Sequence, residues 1–407
     1  MERPEIRRHP AAGRRLMPVW AIVALAAALV PPANAAAEVP QPEVRLSLRG
    51  TLALPAAAVD QDGETVVVAG LSGVAWLGDD RYVAIMDNGR HLLLFRLVLG
   101  QVGEPLSVAA ARLVKLAQRH DYEDIAPCPG PIAERLRTAA GGAAAAAGEA
   151  RADDPRESGV VLVCEEDTPA IRAFSLADGR MLTTIPLPDN LRTRRPNRGL
   201  ESLAIDPDGR CVWTANEEAL PADGPAASSD GGTVVRLTRL PVPGADASEA
   251  VQAAYLVDPV HRHARVFAGP LLSGLVALVS LGDDRLLVLE RGAAAGLPPF
   301  SSRIYLVDVG GAVDVSTVDR DLATRQDVQL EKRLLWSDAL GVNLEGLCAG
   351  PPLEDGNRAL VGIADNGGMG TPNQLVTLSL HEQNPAAPGS RRRHVGAAVP
   401  VGGLTSP

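Results

Sequence analysis

The chain has 407 residues, 46% of them hydrophobic and 22% charged, with a formal net charge of −10. That is ordinary globular usage with ample material for a large core. The acidic balance excludes a nucleic-acid binder, which needs Lys and Arg against phosphates, and disfavours docking on an anionic membrane surface.

In chain order, the N-terminus reads as a targeting segment. Arg7, Arg8, Arg14 and Arg15 precede an apolar run from Val19 to Val30, and Ala33-Asn34-Ala35 has the form of a cleavage site. That is the order of a secretory signal. Residues 1–35 are therefore expected to be removed after Ala35, leaving a secreted or periplasmic chain. The alternative is an uncleaved N-terminal anchor. Twelve apolar residues are too few to span a bilayer comfortably, so no stable membrane insertion is expected after cleavage.

The body of the chain is a repeat. An opening step recurs as Leu71-Ser72-Gly73, Tyr122-Glu123-Asp124, Leu200-Glu201-Ser202, Leu272-Ser273-Gly274 and Leu344-Glu345-Gly346. Each leads into a short apolar run, and four of them then reach a turn rich in Gly and Asp, such as Asp206-Pro207-Asp208-Gly209. Pro presets φ there, Asp bonds its own backbone, and Gly accepts positive φ. A second apolar run follows and ends on an acid: Asp87, Glu165, Glu217, Glu290 or Asp365. The first and last copies finish Asp-Asn-Gly, at Asp87–Gly89 and Asp365–Gly367.

Third strands are predicted over Leu92–Leu99, Ala170–Leu176, Thr233–Leu240, Arg303–Val309 and Gln374–Leu380. Fourth strands are predicted near Leu106–Leu116, Met181–Leu187, Gln252–Val257 and Lys332–Trp336, from near-alternating apolar and β-branched residues. The last copy lacks a fourth strand, while Val44–Leu54 is an unassigned strand at the other terminus. The economical reading is an all-β propeller of four-stranded blades over residues 44–380, with the N-terminal strand closing the ring. The count gives five blades, or six if the segment 54–70 pairs separately. Residues 130–158 form an alanine-rich insertion, expected as a mobile surface loop or a short helix. Residues 381–407, with Arg391-Arg392-Arg393, are expected to be a disordered tail.

Two longer stretches carry a family resemblance. Asn197-Arg198-Gly199-Leu200-Glu201-Ser202-Leu203-Ala204 with Pro207-Asp208-Gly209 and Glu217, and Asn343-Leu344-Glu345-Gly346-Leu347 with Asp355-Gly356-Asn357-Arg358 and Asp365-Asn366, resemble signatures of the esterase-like phytase family. The resemblance implies an exported, propeller-like bacterial protein that hydrolyses phosphoesters or esters. The chain departs from the pattern at Ser72 and Ser273, where the ring of acids loses two members.

In a radial arrangement the acids converge on one mouth. So many carboxylates need a cation or raised pKa values. Oxygen ligands without His or Cys select a hard ion, Ca²⁺ outside the cell. Asp87, Glu217, Glu290 and Asp365 are the expected metal ligands. Glu201, Glu345 and Glu123 are the expected catalytic acids, able to position or deprotonate an attacking water. Arg198, Arg195 and Asn197 are the expected grip on a small anionic, phosphorylated substrate, because guanidinium binds such groups in a two-pronged way. Arg192 and Arg194 sit in the same loop, and His120 and Asp121 are placed to join the mouth.

For each acid there is a structural alternative, in which it accepts backbone N–H bonds and holds a turn. The chain as a whole has one too: a non-catalytic binding module with structural Ca²⁺. His261-Arg262-His263 is read as a surface turn. Cys128, Cys164, Cys211 and Cys348 permit two disulfides in any of three pairings, or stay free and buried. No G-x-S-x-G elbow, Walker A loop, dinucleotide fingerprint or H-E-x-x-H occurs, so those enzyme classes are disfavoured. The expected state is a monomer.

Overall fold

The computed structural model describes residues 43–383, apart from 88, 141–158, 244–249, 262–270, 295–297, 339 and 366–371. The expected signal segment, the tail beyond 383, and Asn88, Arg262, His263, Asn366 and Gly367 lie outside the described residues. Strand β1 (Glu43–Ala53) comes first, then a small hairpin of β2 (Ala57–Val59) and β3 (Thr65–Val67). Four antiparallel strands follow: β4 (Leu71–Gly78), β5 (Arg81–Met86), β6 (His91–Leu99) and β7 (Pro105–Lys115).

The next three sheets repeat that meander. They are β8 (Tyr122–Pro127), β9 (Val160–Glu165), β10 (Ala170–Ser175) and β11 (Met181–Ile185), then β12 (Leu200–Ile205), β13 (Cys211–Asn216), β14 (Thr233–Pro241) and β15 (Val251–Val257). The third is β16 (Leu272–Gly282), β17 (Arg285–Ala293), β18 (Phe300–Asp308) and β19 (Lys332–Asp338). The last chain segment supplies β20 (Asn343–Pro352), β21 (Arg358–Asp365) and β22 (Gln374–Gln383). Among the described residues, β1 pairs antiparallel with β22 from Glu43–Gln383 to Ala53–Gln374, so the first and last described strands share a sheet.

The molecule is an all-β propeller. Four of its sheets have four strands, and the one built on β4–β7 has six. The extra two are β2 and β3, because β2 runs parallel to β7 at Val59 and Arg112. The segment 54–70 therefore joins an existing sheet rather than forming its own. The tight turns follow from residue chemistry. Asp283 and Asp284, both at positive φ (51° and 55°), make the two-residue link between β16 and β17, a left-handed geometry that Asp tolerates.

Part of the insertion is ordered. Helix α1 (Gly130–Ala139) buries Ile132, Ala133 and Leu136 against β9–β13, while 141–158 lie outside the described residues. It is a packed helix, not a mobile loop, because its apolar residues recur at helical spacing. The expected tail begins later than 381, since β22 runs to Gln383. All four cysteines are free thiols.

Strands β4, β8, β12, β16 and β20 are innermost. Each packs on the next, and β20 returns to β4. Every one carries a register shift near its start: between Leu71 and Gly73, Tyr122 and Ile125, Leu200 and Ser202, Leu275 and Ala277, and Leu344 and Gly346. A bulge leaves one residue unpaired and re-aims its side chain. The unpaired positions are Ser72, Glu123 with Asp124, Glu201, Val276 and Glu345. In the fourth sheet the structural counterpart of Ser72 is thus Val276, not Ser273. The Leu-Ser-Gly motif there lies three residues upstream of the bulge.

Candidate functional site

Four of the five bulges deliver their residues, Ser72, Glu123, Glu201 and Glu345, to one end of the central axis, while Val276 packs into the core. There the four line a cavity of about 190 Å³ together with residues from the outer ends of the second strands. From the first sheet come Ser72 and, just past β5, Asp87; from the second come Asp121, Glu123 and, just past β9, Glu166. The third gives Asn197, Arg198, Glu201 and Glu217, the fourth Arg291, and the last Glu345 and Asp365. Eight carboxylates thus face two guanidiniums.

Several acids also tie one sheet to the next. Glu166 Oε1 accepts a bond from the Gly199 amide (2.6 Å), and Asp365 Oδ1 accepts one from Gly70 (3.1 Å). Behind the cavity, fully buried Asp124 accepts from its own neighbour Ile125 and from Leu203 of the third sheet, at 2.8 Å each. The second sheet's buried acids therefore help fix the third.

The loop before β12 explains how Arg198 reaches the cavity. The Arg198 amide donates to Arg195 O (3.2 Å) across Pro196 and Asn197, and Asn197 adopts φ 52°. Pro followed by a residue at positive φ is the pattern of a type II turn. It throws Arg198 over the acids, where Nη1 meets Glu217 Oε2 at 3.0 Å and Nε lies 3.8 Å from Glu218. Arg195 does not line the cavity. Its guanidinium donates to Ala219 O (3.1 Å) and Gly224 O (2.6 Å), which pins the following loop.

Arg291 is the central cation, and sequence reasoning missed it. It is buried, and Nη2 lies 3.1 Å from Glu345, 3.2 Å from Glu217 and 4.0 Å from Glu201. Burial opposes its charge, but the Glu345, Glu217 and Glu201 carboxylates more than offset this and hold it above its ordinary pKa. Gly274 makes room for the pair. A Cβ there would sit 2.3 Å from Glu217 Cγ.

Strand alternation places Glu290, the neighbour of Arg291, on the opposite side. Glu290 is therefore not at the mouth, contrary to expectation. It is buried against Lys332 Nζ (2.5 Å) and Tyr255 OH (2.7 Å), and Lys332 also meets Asp258 at 2.7 Å. Glu165 departs likewise. It is gripped by Arg172 at 2.6 and 2.8 Å, and its neighbour Glu166 faces the cavity.

The electrostatics follow from crowding. Burial first, and then the neighbouring carboxylates Asp87 and Glu166, push Glu123 well above the ordinary carboxyl range. Burial, then Glu123 and Glu217, do the same to Glu201. Glu345 is raised by burial, with Arg291 opposing the shift. Burial lifts Glu166 to about 7, although the Gly199 amide counters it.

Among the described residues, two groups of side chains could hold a metal ion. Asp87, Asp121 and Glu123 bring one oxygen each within 4.8 Å of one another, inside the cavity. His120, Glu165 and Asp167 do so outside it, but there Glu165 is already engaged by Arg172. The first group is an oxygen-only donor set, which suits a hard cation. Of the residues expected as metal ligands, only Asp87 belongs to it. Glu123, expected as a catalytic acid, is the third member of this group, and Glu217 is paired with Arg198 and Arg291.

A protein-family model described as Phytase-like, esterase-like activity of phytase, matches residues 66–368. No curated protein matches the chain. Among solved structures, the chain is similar to one described as the Dos1 propeller, at 10% identity over 79% of this chain and 72% of that one, with a TM-score of 0.33. It is also similar to an endo-arabinase from Bacteroides thetaiotaomicron, at 10% identity over 77% and 95% of the two chains, with a TM-score of 0.39. A third is the Polycomb Repressive Complex 2 of Chaetomium thermophilum bound to GSK126, at 10% identity over 81% and 74%, with a TM-score of 0.34.

Proposed function

The chain belongs to the phytase-like family, and from that premise we propose that it is an exported hydrolase that cleaves phosphoesters with the help of a hard divalent cation, Ca²⁺ outside the cell. One observation carries the reading. The cavity gathers an oxygen-only donor set, Asp87, Asp121 and Glu123, beside two guanidiniums, Arg198 and Arg291. Asp87, Asp121 and Glu123 would hold the cation, which would supply Lewis-acid polarisation of a phosphoryl oxygen; Arg198 and Arg291 hold the remaining oxygens, and buried Glu201 or Glu345 orients water or supplies a proton. In this reading the scaffold is a five-bladed ring closed by β1, the mature chain begins after Ala35, and it acts as a monomer on a small anionic substrate.

A second reading has its own support. Glu166, Asp365 and Asp124 accept backbone amides of the adjoining sheet, as acids would in a non-catalytic binding module. The two part on turnover. Chelator-treated protein, reloaded with Ca²⁺, is assayed on a panel of phosphomonoesters and carboxylic esters. Calcium-dependent phosphate release supports the hydrolase, and no turnover of any ester with Ca²⁺ bound supports the module.

A further inference from the structure

The eight carboxylates of the cavity are not equivalent. Around the first and second sheets, Asp87, Asp121 and Glu123 place an oxygen each within 4.8 Å of one another. Ligand distances of about 2.3–2.6 Å to Ca²⁺ put oxygens on one ion at such separations. Glu123 is only 9% exposed, lines the cavity, and makes no hydrogen bond or ion pair among the described residues. Asp121 Oδ1 is a buried oxygen with no donor. A buried carboxylate oxygen left without a partner is costly.

The other half of the cavity is furnished differently. Glu217, Glu345 and Glu201 surround one nitrogen of Arg291, at 3.2, 3.1 and 4.0 Å. That nitrogen stands where a cation would otherwise be needed. It comes from the fourth sheet, whose bulge residue is Val276 and supplies no acid.

We propose that the cavity holds one resident divalent cation, on Asp87, Asp121 and Glu123, and that Arg291 occupies the place of a second. The inference rests on the cation-assisted reading above and fixes the number and position of the ion. It also divides the substrate's contacts. The phosphoryl group lies between the ion and Arg291, which lines the same cavity as the three acids.

The test is a Ca²⁺ titration of the chelator-treated full chain by calorimetry, with ion content counted after gel filtration. The wild type is expected to bind one Ca²⁺. Asp121→Asn should weaken that binding at least about tenfold. Arg291→Gln should bind two, because it frees Glu201, Glu217 and Glu345, while Arg291→Lys should stay at one. Glu345→Gln should keep the single ion, since Glu345 belongs to the arginine half, and this variant serves if Arg291→Gln does not fold. A wild type that binds no Ca²⁺ at millimolar concentration overturns the inference together with the cation of the hydrolase reading. A wild type that binds two, an Arg291→Gln protein that binds one, or loss of the ion in Glu345→Gln overturns the inference alone and leaves that reading standing.

Discussion

Glu201 shows how one side chain couples stability to chemistry. Burial, then Glu123 and Glu217, hold its pKa well above the ordinary value. A group whose pKa is higher in the folded state takes up a proton on folding. Its contribution is intact below its unfolded pKa of about 4.3 and is lost as pH rises through the folded value. Glu123 acts in the same direction. Cation-free protein should therefore melt higher at pH 5 than at pH 8. Glu201→Gln keeps the neutral shape at every pH, so it should shrink that difference and raise stability at pH 8 by about 1–3 kcal/mol. If Glu201 moves a proton in the reaction, the same variant should lose at least about 10²-fold in kcat. Melting curves at the two pH values and a turnover assay on that one protein decide it. Full turnover with a lower melting temperature at pH 8 would reverse both assignments.

At the scale of the strand, what can be read from sequence is period, and what cannot is register. The repeat, the meander of strands and the gathering of Glu123, Glu201 and Glu345 all follow from alternating apolar runs closed by Gly-Asp turns. From sequence, Glu290 and Glu165 are expected at the mouth because each ends an apolar run. The next residue, Arg291 or Glu166, is the one that faces the axis, and a single step changes the face. The bulge in β16 is invisible in the same way. Leu272-Ser273-Gly274 resembles the other opening steps, yet the unpaired residue is Val276. Arg291 carried one usable signal, a cation beside an acid at the end of the strand whose sheet lacks its own opening acid. Glycine marks the places where inner strands nearly touch. A Cβ on Gly346 would lie 2.7 Å from Ser72 O and 2.8 Å from Gly73 Cα, both backbone atoms. Gly346→Ala must push β20 off β4, and the expected loss is about 1–3 kcal/mol. Urea unfolding should show a lower midpoint at an unchanged slope. A wild-type midpoint would mean that the inner strands can separate freely.

Across the whole molecule, the axis changes character along its length. The inner strands begin at the end of the axis that holds the acidic cavity, and two residues past Ser72, Glu123, Glu201, Val276 and Glu345, the side chains of Val74, Ile125, Leu203, Leu278 and Leu347 line a second cavity of about 190 Å³ among mostly apolar neighbours. The acids are thus gathered at one end, and a ligand there meets residues carried by all five sheets. Ca²⁺ that binds only the folded chain should raise its melting temperature by mass action, by about 2.7 kcal/mol at a hundredfold excess over Kd. An unchanged melting temperature on adding millimolar Ca²⁺ to chelator-treated protein would count against a resident ion.

The first and last described strands give the last test. Strand β1 lies along β22 over the whole register from Glu43 to Ala53, so the sheet holding Glu345 and Asp365 depends on a strand three hundred residues away in sequence. Val44 is fully buried among Val276, Leu289 and Leu378 of the last two sheets, and β1 also touches β7 and β19. Without β1, the N–H and C=O groups on one side of β22 lose their partners, and an unpaired edge is a template for association between chains. Deleting residues 36–56 should therefore abolish the cooperative unfolding transition and drive the protein into aggregates, seen by light scattering. Deleting 384–407, a segment rich in Pro, Gly and Arg, should leave the melting temperature within a few degrees of wild type. Equal tolerance of both deletions would mean that β22 is a stable edge and that the N-terminal strand only decorates it.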